Sequence, residues 1–83
     1  MLNKYTIIGT LKAIDSPIKM DNYIAKITIE VNKDSIIMLV SRDVDISELV
    51  CDSLVGVIGE IKAFDTAMVP VVERLEVIEG SDD

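Results

Sequence analysis

The sequence predicts a small all-β domain, and three observations lead to this fold class. Of its 83 residues 49% are hydrophobic, and most of these are Ile and Val, whose branched Cβ favours strands over helices. Apolar and polar residues alternate with period two along several segments, as they do in strands that bury one face. The length is enough for one domain and no more.

The first strand is predicted over Lys4–Ile14, where alternate residues from Tyr5 to Ala13 form an apolar face. Gly9, in its middle, destabilises a strand unless the chain bends sharply there or another backbone approaches closely. A strand of a coiled barrel needs such a bend. Asp15-Ser16-Pro17 then predicts a turn, because proline cannot continue the hydrogen-bond ladder.

Four further strands follow along the chain. They are predicted over Tyr23–Asn32, Ser35–Ser41, Leu54–Ala63 and Val69–Ile78. The second strand alternates like the first, whereas the third is apolar on both faces, which predicts that both faces are covered. Asn32-Lys33-Asp34 and Phe64–Met68 are the predicted hairpin loops, and Pro70 marks an edge or the beginning of the last strand.

One short helix is predicted over Asp45–Ser53, between the third and fourth strands. Asp45 is a suitable N-cap, and Glu48 three residues later completes a capping box. The apolar stripe of this helix consists of Ile46, Leu49 and Val50. The helix has barely two turns, so packing against the barrel has to stabilise it.

Five strands with a helix between the third and fourth is the arrangement of the OB fold, a partly open Greek-key barrel. The glycines in the first and fourth strands also favour this fold. An SH3-like barrel and a β-meander with an incidental helix are the alternatives. The OB domain is predicted to span residues 1–78, with an acidic flexible tail at 79–83.

Several classes of function find no support in the composition. The chain has no His, and Cys51 is its one cysteine, so a disulfide, a zinc site and a Cys–His nucleophile are disfavoured. Asp43, Asp45 and Asp52 lack the spacing of a calcium loop, and no phosphate loop or nucleophile elbow occurs. We therefore expect no enzyme and no catalytic residue, metal or cofactor. No apolar run would span a membrane and no secretory signal is evident, which predicts a cytoplasmic protein.

The net charge of −7 by itself disfavours a nucleic-acid partner, because phosphate contacts need Lys and Arg. The charge is unevenly distributed along the chain. Residues 1–33 carry a net charge of +2, and residues 34–83 carry −9. The acid excess therefore lies in the second part of the chain and leaves the first two strands basic.

Four segments resemble bacterial single-stranded DNA-binding proteins, in the order in which that family has them. They are Asn3–Leu11, Ile24–Asn32, Ser53–Ile61 and Val71–Val77. The first has Asn-Lys, an apolar run, Gly and then Leu, and the third reads Ser-Leu-Val-x-Val-x-Gly-x-Ile. Together they cover about half of the chain. The resemblance implies an OB barrel that binds single-stranded DNA, assembles through its first strands and serves DNA replication.

The sequence departs from this family where the family binds bases. The family stacks bases on aromatic side chains of the third strand and of the last hairpin. Here Ser35–Ser41 has no aromatic residue, and Phe64 alone stands near such a position. The basic extensions of the hairpin are missing, and the chain ends Ser81-Asp82-Asp83 instead of in an apolar tip. It is therefore more similar to the short primosomal single-strand binders, which consist of little beyond the barrel.

Sequence-tolerant single-strand binding needs cations for the phosphates and flat side chains for the bases. The predicted contacts are Lys4, Lys12, Lys26, Thr28, Lys62, Phe64 and Tyr23. The three lysines of the first two strands occupy polar faces that form one surface if these strands pair, and Lys62 joins them from the fourth strand. The alternative is that the lysines only keep the sheet soluble and that Tyr5 and Tyr23 belong to the core.

Isoleucines on the otherwise polar strand faces predict an oligomer interface, because exposed β-branched residues on a small barrel often mark one. The predicted interface residues are Ile8, Thr6, Thr10 and Ile24. We expect a homo-oligomer, either a dimer or a tetramer. Association would help a chain this short to stay folded and would raise its apparent affinity for DNA by avidity.

The predicted function is weak, electrostatic, non-sequence-specific binding of single-stranded DNA by an OB-fold homo-oligomer. Other replication proteins are possible partners, and no membrane partner is expected. The alternative is a protein-interaction or oligomerisation module of a replication or mobile-element complex that has lost nucleic-acid binding. The scarcity of aromatic residues and the charge of −7 favour that alternative. Nothing specific supports an oligosaccharide- or metabolite-binding barrel.

Overall fold

A computed structural model describes residues 3–80, which form five β-strands. The strands are β1 (Lys4–Asp15), β2 (Tyr23–Val31), β3 (Asp34–Ser41), β4 (Leu54–Phe64) and β5 (Ala67–Glu79). The bounds predicted from the sequence are correct to within two residues at each end. The last hairpin is tighter than predicted, because only Asp65 and Thr66 form its turn, with Asp65 at a φ of 53°.

The strands form a closed barrel in the order β1-β2-β3-β5-β4, with β4 pairing back to β1. All neighbours are antiparallel except β3 and β5. These two run parallel and share only the pairs Leu39–Val71 and Val40–Val72. Pro70, which has no N–H to donate, lies immediately before this contact.

The β2–β3 hairpin turns at Asn32 and Lys33, whose φ angles are 50° and 74°. Positive φ at both central residues defines a type I′ turn, in which Asn is favoured. The turn sets the register of the two strands, which pair Thr28 with Ile37 and Lys26 with Leu39. Side chains of these four positions therefore lie on one outer face.

The interior of the barrel is an aliphatic cluster to which all five strands contribute. Its members are Leu11, Ala25, Ile27, Ile29, Met38, Val40, Val55, Val57 and Val72. Two glycines let strands pass close to each other: a Cβ at Gly9 would lie 2.6 Å from the Glu30 carbonyl oxygen, and one at Gly59 would overlap the Val71 carbonyl. Of the two explanations left open for Gly9, a sharp bend or a close backbone approach, the structure shows the close approach.

Tyr5 closes one end of this core. Its ring packs against the aliphatic cluster, and its hydroxyl donates to Met38 Sδ at 3.8 Å. Burial, reinforced by the nearby Glu73 carboxylate, raises the pKa of Tyr5 to about 12. The interpretation of Tyr5 as a core residue is therefore correct.

A β-bulge in β1 changes which residues face the interior. The register with β2 shifts between Leu11 and Ala13. Ala13, predicted on the apolar inner face, is exposed, and Ile14 packs against the core instead. Strict alternation missed this reversal, because one extra residue in a strand inverts the facing of every residue beyond it.

The predicted helix over Asp45–Ser53 is wrong: no helix occurs in this connection, which passes through turns from β3 to β4. Asp45 does not complete a capping box with Glu48. Its Oδ1 accepts hydrogen bonds from the backbone N of Ser47 at 2.9 Å and from its Oγ at 2.7 Å. These bonds lower the pKa of Asp45 and close a local turn that competes with a helical start.

The apolar residues of this connection only partly follow the predicted stripe. Ile46 and Leu49 pack against the core, whereas Val50 is exposed. Asp52 has a φ of 73°, which turns the chain away from helical geometry just before β4. Cys51, beside it, is exposed as well.

The outer face of β3 is covered at one end only. Leu39 is 8% exposed and pairs with the buried Val71, whereas Ile37 on the same face is 57% exposed. The prediction that both faces of this strand are covered is therefore correct at Leu39 and wrong at Ile37.

The predicted tail begins within the last strand, since β5 runs to Glu79. Residues 81–83 of that tail and residues 1–2 of the predicted domain lie outside the described residues. Nowhere in residues 3–80 is there a helix with the length and apolar character that a membrane crossing requires.

Candidate nucleic-acid interface

The outer face of β2 and β3 carries two of the predicted contact residues, Lys26 and Thr28, together with Ile37, which was not predicted as a contact. Lys26, Thr28 and Ile37 point outward side by side, because Thr28 pairs with Ile37 and Lys26 lies two residues before Thr28 on β2. Lys26 and Ile37 are exposed, and Thr28 is half-buried. These three residues form the β2–β3 face, which offers an ammonium group, a hydroxyl and an apolar surface within one patch.

The connection between β1 and β2 forms one border of this face and is held in place by β3. The backbone N of Arg42, directly after β3, donates to the Asn22 carbonyl at 3.0 Å. Arg42 Nη2 reaches the Met20 carbonyl at 3.5 Å. Ser16 Oγ donates to the Ile24 carbonyl at 3.1 Å, which ties the start of the connection to β2.

The β4–β5 hairpin reaches the same end of this face through an aromatic contact. Tyr23 begins β2, and Phe64 ends β4. Their ring centroids lie 5.9 Å apart at an interplanar angle of 64°, an edge-to-face geometry. Both side chains are half-buried, and neither belongs to the barrel's core cluster. The contact joins the two loops at one end of the face and leaves part of each ring open.

Lys26 is the cation of this face, and it is partly neutralised. Its Nζ lies 4.0 Å from Asp15 Oδ2, which the register places opposite it on β1. Both side chains are well exposed, so solvent weakens this ion pair. Lys26 can therefore exchange Asp15 for a phosphate at small cost.

The remaining lysines lie elsewhere, so the predicted single lysine surface is wrong. Lys4 Nζ contacts Glu73 Oε1 at 2.8 Å and Glu60 Oε2 at 3.6 Å, on the side of the barrel formed by β1, β4 and β5. Its hydrogen bond to Glu73 raises the pKa of Lys4 and lowers the pKa of Glu73. Lys62 also stands near Glu73 and helps to lower that pKa.

Lys12 belongs to neither of these groups. It sits at the β1 bulge, where its Nζ contacts Asp52 Oδ1 at 3.3 Å. The sequence could not assign these lysines to separate faces, because the curvature of β1 takes its first half to β4 and its second half to β2.

The outer surface of β1, β4 and β5 is a second face with a different character. Thr6 and Ile8 line a shallow groove of about 490 Å³ together with side chains of the neighbouring strands. Ile8, Ile58 and Ile78 are all more than 40% exposed there. Thr10 continues the same row of β1 and is half-buried.

Ile24 is not part of that second face. It is half-buried and packs against the core. The prediction that Ile24 joins Thr6, Ile8 and Thr10 in one interface is wrong, because a register irregularity between Tyr23 and Ala25 changes the facing of this end of β2.

Two contributors to the β2–β3 face were not assigned to it from the sequence. They are Ile37, whose apolar side chain gives no sign of a DNA contact, and Arg42, which carries no signal beyond following the third strand. Within residues 3–80 no group of three His, Cys, Asp or Glu side chains is placed to hold a metal ion.

Comparison with known proteins identifies the fold of this chain and gives no family for it. No protein-family model and no curated protein sequence matches this chain. Its structure is similar to a chain of a replication protein A heterotrimer bound to single-stranded DNA, with a TM-score of 0.70 over 95% of this chain. The two are 16% identical, and the match spans 60% of that chain.

This likeness defines the class of the protein: it is an OB-fold domain. The barrel order and the five strands agree with that assignment. An identity of 16% shows the shared fold alone.

Proposed function

We propose that this chain binds single-stranded DNA on its β2–β3 face, weakly and without sequence preference. The observation that carries the proposal is the position of this face. It is the outer face of the second and third strands, on which OB barrels take oligonucleotides, and the β1–β2 connection and the β4–β5 hairpin meet at one end of it through Tyr23 and Phe64.

The composition of the face sets the strength of binding. Tyr23 and Phe64 offer at most two stacking positions, and stacking contributes about 1–3 kcal/mol per base. Lys26 is the phosphate contact at the centre of the face, with Arg42 at its border. Two stacked bases and two or three phosphate contacts correspond to weak binding, in keeping with the overall charge of −7.

The resemblance to bacterial single-stranded DNA-binding proteins supports this proposal, as does the structural neighbour bound to single-stranded DNA. Among such proteins we favour a short member similar to primosomal single-strand binders, acting in the cytoplasm as a homo-oligomer in DNA replication. The proposal includes no catalytic step.

The second face favours a second candidate function, a protein-interaction or oligomerisation module. Three exposed isoleucines beside a groove form a surface of the kind that marks protein contacts. If this face is the only functional one, the protein has the OB fold but does not bind nucleic acid.

Fluorescence anisotropy with labelled dT20 at 50 mM and 200 mM salt tests the proposed function. We expect saturable binding whose affinity falls about 7- to 20-fold between these salt concentrations, as two or three phosphate contacts on a single strand imply. The control is the dA·dT duplex of the same length, whose bases cannot stack on Tyr23 and Phe64 and which should bind more weakly. Absence of dT20 binding at 50 mM salt by the folded protein would contradict the proposal and leave the interaction module.

A further inference from the structure

The strand register aligns side chains of the second face in two neighbouring rows. The first row contains Thr6, Ile58 and Arg74. The second row contains Ile8, Gly56 and Glu76. Each row thus crosses β1, β4 and β5 in that order, and all six residues line the groove.

The two rows are complementary to each other. On β4 the first row has a protruding isoleucine, Ile58, 41% exposed, where the second has the notch above Gly56. On β5 the first row has a cation, Arg74, where the second has an anion, Glu76. Among residues 3–80 neither Arg74 nor Glu76 forms an ion pair.

We propose that a second copy of this chain packs on the face, related by a two-fold axis that runs between the two rows and across the strands. Such an axis lies in the plane of contact and places each row opposite the other row of the partner. Ile58 then faces Gly56 of the partner subunit, and Arg74 faces Glu76 of the partner subunit. Both contacts occur twice, and one axis position satisfies all of them.

The geometry of packed sheets suits this arrangement. Two sheets stack about 10 Å apart with interdigitated side chains, so a bulky residue on one sheet needs a small one opposite it. Gly56 provides that space, and Ile78 forms its wall, since the Ile78 Cδ1 atom lies 3.3 Å from the position of a Cβ on Gly56.

The charge of the face also permits a second copy of an acidic chain. Two molecules of net charge −7 repel each other unless the contacting surfaces are locally balanced. The charged residues on and beside the groove are Lys4, Lys62, Arg74, Glu60, Glu73, Glu76 and Glu79, three cations and four anions. Most of the negative excess therefore lies away from the contact.

This arrangement goes beyond single-strand binding and is tested separately from it. Analytical ultracentrifugation of the full chain from 1 to 200 μM should show a monomer–dimer equilibrium. R74E and E76R should each weaken dimerisation at least tenfold, because each places like charges opposite each other twice. An equimolar mixture of R74E and E76R should dimerise as well as the wild type, since both ion pairs then form between unlike chains.

Matched controls carry the same charge changes away from the face. K33E at the β2–β3 turn and E48R in the β3–β4 connection should leave dimerisation unchanged. G56A should also weaken the dimer at least fivefold while the isolated chain stays folded, because the added methyl meets only the flexible tip of Ile78.

A wild-type chain that remains monomeric at 200 μM would overturn the proposal. So would R74E and E76R chains that dimerise alone, or a mixture of the two that does not. The dT20 titration does not enter any of these outcomes, so a monomeric chain would remove the homo-oligomer and leave the proposed single-strand binding standing.

Discussion

The β2–β3 face and the β1–β4–β5 face belong to one barrel and differ in what surrounds them. Two loops meet at one end of the first face, where Arg42 contacts the β1–β2 connection and Tyr23 contacts Phe64 of the β4–β5 hairpin. No such border encloses the groove over Gly56, whose lining belongs to three strands. A bordered face suits a narrow flexible ligand, whereas an open sheet face suits another sheet.

The two faces also hold their charges differently. Lys26 has one exposed partner at 4.0 Å, whereas Lys4 has two carboxylates, the nearer at 2.8 Å. A lysine held by two carboxylates is a poor phosphate ligand, because a phosphate bound to it would lie close to both carboxylates and be repelled by them. The distinction supports the proposals that place nucleic acid on the first face and a second copy of the chain on the second.

The largest expected effect separates two glycines of β4 that lie three residues apart. G59A should destabilise the fold by roughly 3 kcal/mol or more, at the upper end of overpacking, because its Cβ would overlap the Val71 backbone. G56A should leave the stability of the dilute monomer within about 0.5 kcal/mol of wild type or raise it, since Ala is favoured over Gly in a strand. Urea denaturation at 1 μM protein measures both.

Equal destabilisation by the two substitutions would contradict this distinction. It would mean that Gly56 is needed for the fold and is not a surface notch.

The next effect concerns the aromatic border of the first face. F64A should weaken dT20 binding about tenfold, the equivalent of one stacked base. I8A, on the second face, removes a comparable apolar group and should change dT20 affinity less than twofold. Anisotropy titrations at 50 mM salt compare the two variants, with a thermal melt of each to verify folding. A larger loss of affinity in I8A would place the DNA on the other face.

The strands were predictable because alternation and glycine placement are local signals of β-structure. Gly9 is an example: a residue costly in a strand indicated either a bend or a close backbone approach, and the structure has the approach, to Glu30. The facing of Ala13 and Ile24 was not predictable, because bulges that invert parity depend on pairing between distant strands.

The helix and the lysine surface failed for related reasons. Asp45 has the sequence pattern of an N-cap, yet its carboxylate closes a turn on Ser47, which local propensity alone does not distinguish. The partners of Lys4 are Glu60 and Glu73, far along the chain, so only the tertiary structure shows that this lysine is occupied.

A smaller effect should distinguish the lysines of the two faces. K26E should weaken dT20 binding about threefold, through loss of one phosphate contact and the new repulsion. K4E makes the same charge change beside Glu60 and Glu73 and should alter dT20 affinity less than K26E does. Titrations of both variants at 50 mM and 200 mM salt should show a reduced salt slope for K26E alone. Equal effects of the two would mean that only net charge matters.

The smallest effect concerns Tyr5, whose ring closes the core beneath the second face. Burial raises the pKa of Tyr5 from 10.0 to about 12, so the folded state keeps its proton where the unfolded state loses it. This contribution to stability is complete below pH 10 and is lost as the pH rises through 12. Y5F has no proton to lose, so its urea midpoint should fall less than that of the wild type between pH 9 and pH 11.5. Parallel declines in the two proteins over this range would show that Tyr5 ionises as freely in the folded barrel as in the unfolded chain.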